Sequence, residues 1–184
     1  MINLEDKKNI VLSLNDDFVY AGEQSLKLRN KGLIETIKSD NTPVTNGDLE
    51  VNKIITNKIK KLTSEIPIVS EESSLNKENR SLNTFWLIDP IDGTYDYIHN
   101  KDEFTINAAL IIDKKPELGI IYAPAKKRLF YTYGKNMSFE KTKNKEKILN
   151  CKKITKEGVV KAVSYSDNLK PIIQEFHKKF KVTE

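Results

Sequence analysis

Three runs of strand-forming residues, Phe104 to Ile112, Glu117 to Tyr122 and Arg128 to Tyr133, are separated only by the turn clusters Asp113-Lys114-Lys115-Pro116 and Ala123-Pro124-Ala125-Lys126. Connections this short join antiparallel neighbours, because a parallel crossover needs about a dozen residues or more. The middle of the chain is therefore expected to be an antiparallel meander. Upstream the period changes. Leu14 to Asn30 carries Phe18, Ala21, Ser25, Leu26 and Leu28 at roughly helical spacing and is closed by Lys31-Gly32. Asn46 to Leu62 places Val51, Ile54, Ile55, Ile59 and Leu62 on one face of a second helix, with Lys58, Lys60 and Lys61 near its carboxyl end, where cations suit the helix dipole.

Between helices and meander lie two short buried-strand candidates, Pro67 to Ser70 and Phe85 to Ile88, each delivering acids at its carboxyl end. An extended piece, Leu33 to Lys38, runs into the turn cluster Ser39-Asp40-Asn41-Thr42-Pro43. Past the meander, the lysine-rich stretch Lys141 to Lys147 suits a hairpin tip, Val159 to Ser164 a strand, and Asn168 to Phe180 a helix. No internal repeat is present.

With 38% hydrophobic and 31% charged residues, the 184-residue chain has the composition of a globular protein and not of a disordered tail. Cys151 is the only cysteine, which excludes an intrachain disulfide and reads as a small buried hydrophobe. Met1 to Asn9 holds no apolar signal core, and no apolar run approaches the ~18 residues of a membrane span, so a cytoplasmic location is expected. The net charge of +5 is spread over lysines interspersed with acids and polar residues, which speaks for a solvated surface and against a nucleic-acid polymer as partner. A small anionic substrate suits the residual positive field. His99, in a polar loop, and His177, on a lysine-rich helix, read as solvated.

The sharpest local feature is Asp89-Pro90-Ile91-Asp92-Gly93-Thr94. Two carboxylates three residues apart, in a turn restricted by proline, can face one small volume where a hard divalent cation would neutralise their repulsion. Gly93 lets a phosphate approach the backbone, and a short helix starting near Thr94 would turn free amides toward it. Taken alone, the hexapeptide is equally a strand followed by a solvated Asp-Gly turn. Glu71 or Glu72, after the preceding strand, would complete a carboxylate cluster. Thr45 with Asp48 reads as a capping box opening the second helix, and Asp48, kept ionised by the helix dipole, can orient a water.

Together these segments resemble the inositol monophosphatase superfamily, whose marks are Asp-Pro-Ile/Leu-Asp-Gly-Thr, an upstream Glu-Glu after a strand, and a Thr-x-x-Asp helix start. Ser39 to Thr45, Val69-Ser70-Glu71-Glu72, Phe104 to Leu110 and Gly119 to Pro124 resemble its CysQ-type branch of 3′(2′),5′-bisphosphate nucleotidases. Tyr95-Asp96-Tyr97 departs from the Lys-Glu-Phe common in that branch. The resemblance implies that Glu71, Asp89, Asp92 and the Ile91 carbonyl bind Mg2+. It also implies that Asp48 and Thr94 act catalytically with Glu71, and that Ile91, Asp92, Gly93 and Thr94 meet the phosphate beside Glu71. Glu72 is read as supporting or merely solvated. The family takes a further metal ligand from a Trp-Asp-x-Ala motif that this sequence lacks, its one tryptophan being Trp86 before Leu87.

The fold implied is α+β, a layered α/β sandwich of sugar-phosphatase-like type. Residues 1–150 would form an amino-terminal metal-binding catalytic domain of two helices on a largely antiparallel sheet, and residues 151–184 the start of a second, truncated α/β domain. The boundary is expected near Asn150 to Gly158. The reaction implied is hydrolysis of a phosphomonoester, adenosine 3′,5′-bisphosphate to AMP and phosphate, with inhibition by lithium. An inositol or sugar monophosphatase and a catalytically dead remnant that binds metal or a partner are the alternatives. Self-association as a homodimer is left open.

Overall fold

The computed structural model describes residues 2–39, 41–72, 81–143, 145–150, 160–161 and 169–183. Chain contacts divide it into two compact units, Met1–Leu149 and Asn150–Glu184. The first opens with helix α1, Leu4–Lys31, which begins ten residues before the periodicity at Leu14 suggests. A capping box explains the early start: the Asn3 side chain accepts from the Asp6 amide while Asp6 accepts from the Asn3 amide, each at 2.9 Å. Strands β1, Glu35–Ile37, and β2, Pro43–Thr45, form a separate small hairpin that leads into α2, Asn46–Leu62.

The main sheet has seven strands in the order β3 to β9: Ile68–Ser70, Phe85–Asp92, Thr105–Ile112, Lys115–Ala123, Arg128–Thr132, Ser138–Thr142 and Lys145–Ile148. Only β3 and β4 pair in parallel, and the rest form the antiparallel meander expected from the short turns. A one-turn helix, α3, Thr94–Ile98, interrupts the path from β4 to β5.

Alternation along the strands sets one face against the helices. Trp86 and Ile88 of β4, Ile106 and Leu110 of β5, Leu118 and Ile120 of β6 and Leu129 of β7 are buried with Leu14, Phe18, Val51, Ile55 and Ile59 of α1 and α2. Trp86 also satisfies its indole N–H on Thr63 Oγ1 at 3.0 Å, and Tyr97 of α3 donates to the Ser25 carbonyl of α1 at 2.7 Å. The opposite face is open, with Leu87 48% and Ile121 45% exposed.

In the second unit, β10, Val160–Lys161, pairs in parallel with β11, Val182–Thr183, and α4, Pro171–Phe180, lies between them in sequence. Pro171 occupies the first turn of α4, where its missing N–H costs nothing. Cys151, the stretch Val159 to Ser164 apart from β10, and most of the expected boundary from Asn150 to Gly158 lie outside the described residues. Among the described residues no helix is long and apolar enough to cross a membrane.

Candidate active site

The acids gather where β3 and β4 end side by side. The parallel register matches Ser70 with Ile88, and the Glu71 amide extends it by donating to the Ile88 carbonyl at 3.1 Å, which leaves Glu71 beside Asp89. Asp89 and Asp92 are an odd number of residues apart, so a regular strand would send them to opposite faces. Here Asp89 pairs with Asn107 and Asp92 with Thr105, so three steps on β4 answer two on β5. That extra residue is a β-bulge at Pro90-Ile91, where proline lacks the N–H a regular ladder would need. Asn107 and Thr105 share a face of β5, and their partners Asp89 and Asp92 therefore share a face of β4.

The crowding raises the cost of ionising Asp89. Burial, then the charges of Glu71 and Asp92, the hydrogen bond that its protonated form donates to Glu71 and the charge of Asp48 together push its pKa up to about 7. Its Oδ1 is buried and has no hydrogen-bond partner. Asn107 points its Nδ2 at Asp92 Oδ2, 3.4 Å away, while its own Oδ1 is also buried without a partner.

Asp48 enters from α2. It is 2% exposed, and Thr45 holds it through its amide at 2.8 Å and its hydroxyl at 2.5 Å, so the capping box read from the sequence is present. Burial raises the Asp48 pKa against those hydrogen bonds. Gly93 adopts φ 90°, and a Cβ there would lie 2.7 Å from the Glu103 carbonyl oxygen, so only glycine fits. Thr94 follows at the start of α3 and donates its hydroxyl to the Ile91 carbonyl at 3.0 Å. No hydrogen bond joins Asp48 to Thr94 among the described residues.

Two residues play parts that the sequence did not announce. Lys38, at the end of the β1 side of the small hairpin, places its Nζ 2.6 Å from Glu72 and 3.3 Å from Glu71. Of the two readings of Glu72, supporting or merely solvated, the second does not hold, because its side chain is 5% exposed and ion-paired. Burial raises the pKa of Glu72 and the Lys38 ammonium opposes it, while for Lys38 the neighbouring Glu72 and Glu71 outweigh burial and raise the pKa. Ser70 fixes the end of β3 by donating to Asn52 of α2 at 2.6 Å. His99 is exposed, as its sequence context suggests, and its Nδ1 meets the Tyr95 carbonyl.

The donor set is all oxygen and negative, which suits a hard divalent cation, and an unpartnered buried carboxylate oxygen is what such an ion would satisfy. Among the described residues, no three side chains of His, Cys, Asp or Glu converge into a formed ligand cage. Lys38 compensates two of the acids, Glu71 and Glu72.

A parallel strand pair ending in a carboxylate cluster, backed by two helices and continued by an antiparallel meander, defines a class, and residues 17–183 match the Inositol monophosphatase family. The chain belongs to that family. It is 44% identical over 107 residues to the 3′(2′),5′-bisphosphate nucleotidase CysQ of Buchnera aphidicola, an alignment covering 56% of this chain and 40% of the relative. It also superposes on the CysQ structure from Bacteroides thetaiotaomicron with a TM-score of 0.69 at 24% identity, over 98% of this chain and 73% of the other. An IMPase/NADP phosphatase solved with Mg2+ and phosphate shares the fold at a TM-score of 0.61 and 20% identity, over 74% of this chain and 51% of that one. The chain spans about half or less of the length of its curated relatives, from 36% of the Escherichia coli CysQ to 56% of the Shigella flexneri CysQ.

Proposed function

We propose that this chain carries the metal-binding half of a magnesium-dependent phosphomonoester hydrolase acting on adenosine 3′,5′-bisphosphate and releasing AMP and phosphate. The observation that carries this reading is Asp89, a half-buried carboxylate with a pKa pushed to about 7 by burial and by Glu71 and Asp92, and with one buried oxygen unpartnered. Such an arrangement is costly unless a cation completes it. The choice of nucleotide over inositol or sugar phosphates is supported by the 44% identity to CysQ of Buchnera aphidicola.

In this reading Glu71, Asp89, Asp92 and the Ile91 carbonyl hold Mg2+. When bound, the ion supplies Lewis acidity and neutralises charge on the phosphate. Asp48, locked by Thr45, is the fixed carboxylate that orients water and accepts its proton. The Thr94 hydroxyl, held on the Ile91 carbonyl, orients the water from the other side. Gly93, free of a side chain, lets the phosphate reach the backbone. Lys38 pairs with Glu71 and Glu72 and limits the negative potential that an incoming dianion meets.

Phosphate release from adenosine 3′,5′-bisphosphate with magnesium tests the reading on the 184-residue chain, its Asp92→Asn variant, and a chain spanning the full length of its relatives. Turnover by the wild-type sequence that Asp92→Asn lacks supports it. Faster release from inositol or sugar monophosphates moves the substrate to that class, and magnesium binding without turnover in the long chain leaves a metal-binding remnant.

A further inference from the structure

A cavity of about 380 Å³ lies away from the acids, between the middle of α1 and the strands β6 to β8. Its volume is in the range of small-molecule sites, roughly 300–1,000 Å³. Tyr122 lies on β6, two strands from β4, so the cavity stands on the order of 10 Å from the carboxylate cluster across the sheet. The floor is buried, formed by Asn15, Tyr122, Pro124 and Leu129.

Asn15 is the informative residue. It is 3% exposed, it lines the cavity, and its Oδ1 has no hydrogen-bond partner. A buried amide oxygen left unpaired costs about 1–3 kcal/mol. The rim is basic. Lys127, Lys141 and Lys143, which line the cavity, form no ion pair among the described residues. Asp16 and Glu23 stand exposed at the same rim.

We propose that this cavity binds a nucleoside monophosphate with an adenine base, at a site separate from the carboxylate cluster. A carboxamide offers one donor and one acceptor in the spacing that matches the amino group and ring nitrogen of adenine, and the amide can turn over to present them in either order. Val19 and Leu26 supply apolar walls for the ring. The rim acids suit ribose hydroxyls as donors, and the unpaired lysines suit a phosphate. This site goes beyond the proposed hydrolysis and stands whether or not that reading holds.

The test is calorimetric titration of the full 184-residue chain with adenosine 5′-monophosphate in EDTA, where the uncompensated acids repel phosphate. The wild type is expected to bind, ribose 5-phosphate to bind at least tenfold more weakly, and Asp92→Asn to bind as the wild type does. Asn15→Leu removes the unpaired oxygen without emptying the space, so it should melt no lower than the wild type and lose tenfold or more in affinity. Lys141→Met with Lys143→Met should lose about fivefold and flatten the salt dependence. In a proton–nitrogen spectrum of the wild type, the Asn15 side-chain resonances should move on adding the nucleotide, which decides the matter even if Asn15→Leu does not fold. Absence of binding at millimolar nucleotide overturns the proposal, as do unchanged affinity in Asn15→Leu with unmoved Asn15 resonances, or loss of binding in Asp92→Asn alone.

Discussion

Asp89 ties the stability of the metal-free chain to pH. Its carboxyl titrates near 3.8 when unfolded and at about 7 when folded, so between those values the folded state holds the extra proton. Folding stability then falls as pH rises through that window, the opposite of the usual carboxylate. In EDTA, Asp89→Asn is expected to stabilise the chain by about 2 kcal/mol at pH 8 and to leave it nearly unchanged at pH 4, as read by urea unfolding. Equal effects at both values would count against the crowding of Glu71, Asp89 and Asp92. Because a cation displaces the same proton, magnesium should raise the melting temperature more at pH 8 than at pH 6, by roughly 5–10 °C at a hundred times its dissociation constant. Lys38 makes a second prediction at this scale. Lys38→Met leaves Glu72 buried without its partner and should cost roughly 2 kcal/mol at pH 7, most of it recovered by adding Glu72→Gln in a double-mutant cycle. The candidate ligands Glu71, Asp89 and Asp92 could be picked out from the sequence because strand-end acids and an Asp-Gly turn are local signals. Lys38 could not, since the turn cluster after it signals a reversal of the chain but not that its side chain reaches Glu71 and Glu72 across 33 and 34 residues.

Among the elements, α2 and the meander followed from periodicity and turn chemistry. The observed α2, Asn46–Leu62, has the bounds its apolar stripe gives. The first ten residues of α1 were hidden because their cap, Asn3 with Asp6, precedes a stretch rich in charge rather than an apolar stripe. The bulge in β4 was hidden for a different reason. Whether a strand is regular is decided by its partner, and only the register against Asn107 and Thr105 reveals the additional residue. Two substitutions test how the elements hold the site. Thr45→Ala removes the cap of α2 and the hydroxyl bonded to Asp48, and should cost about 1–2 kcal/mol in stability. Gly93→Ala meets both a positive φ and the Glu103 carbonyl, and should cost roughly 2–3 kcal/mol or displace α3, visible as altered amide shifts at Tyr97.

For the molecule as a whole, the main sheet is finished on one face and open on the other. A hollow of about 370 Å³ lies on the open side, lined by Leu87, Ala109, Ile121, Phe130 and Phe139 and reaching Asp89 and Asn107. A dye that fluoresces on apolar surface, anilinonaphthalene sulfonate, should bind the native chain, and Leu87→Lys with Ile121→Lys should remove most of the signal while changing stability by less than about 0.5 kcal/mol. The rim of the same sheet is built differently. It ends on one side in β3, only three residues long, and on the other in β9, whose Lys145, Glu146 and Lys147 are all exposed. Neither border is a good template for another strand, since one is too short and the other would set charge against charge. Exposed apolar surface in this protein thus belongs to a face and not to an edge, and a face can be covered once, whereas a bare edge hands its unpaired groups on to each strand that joins it.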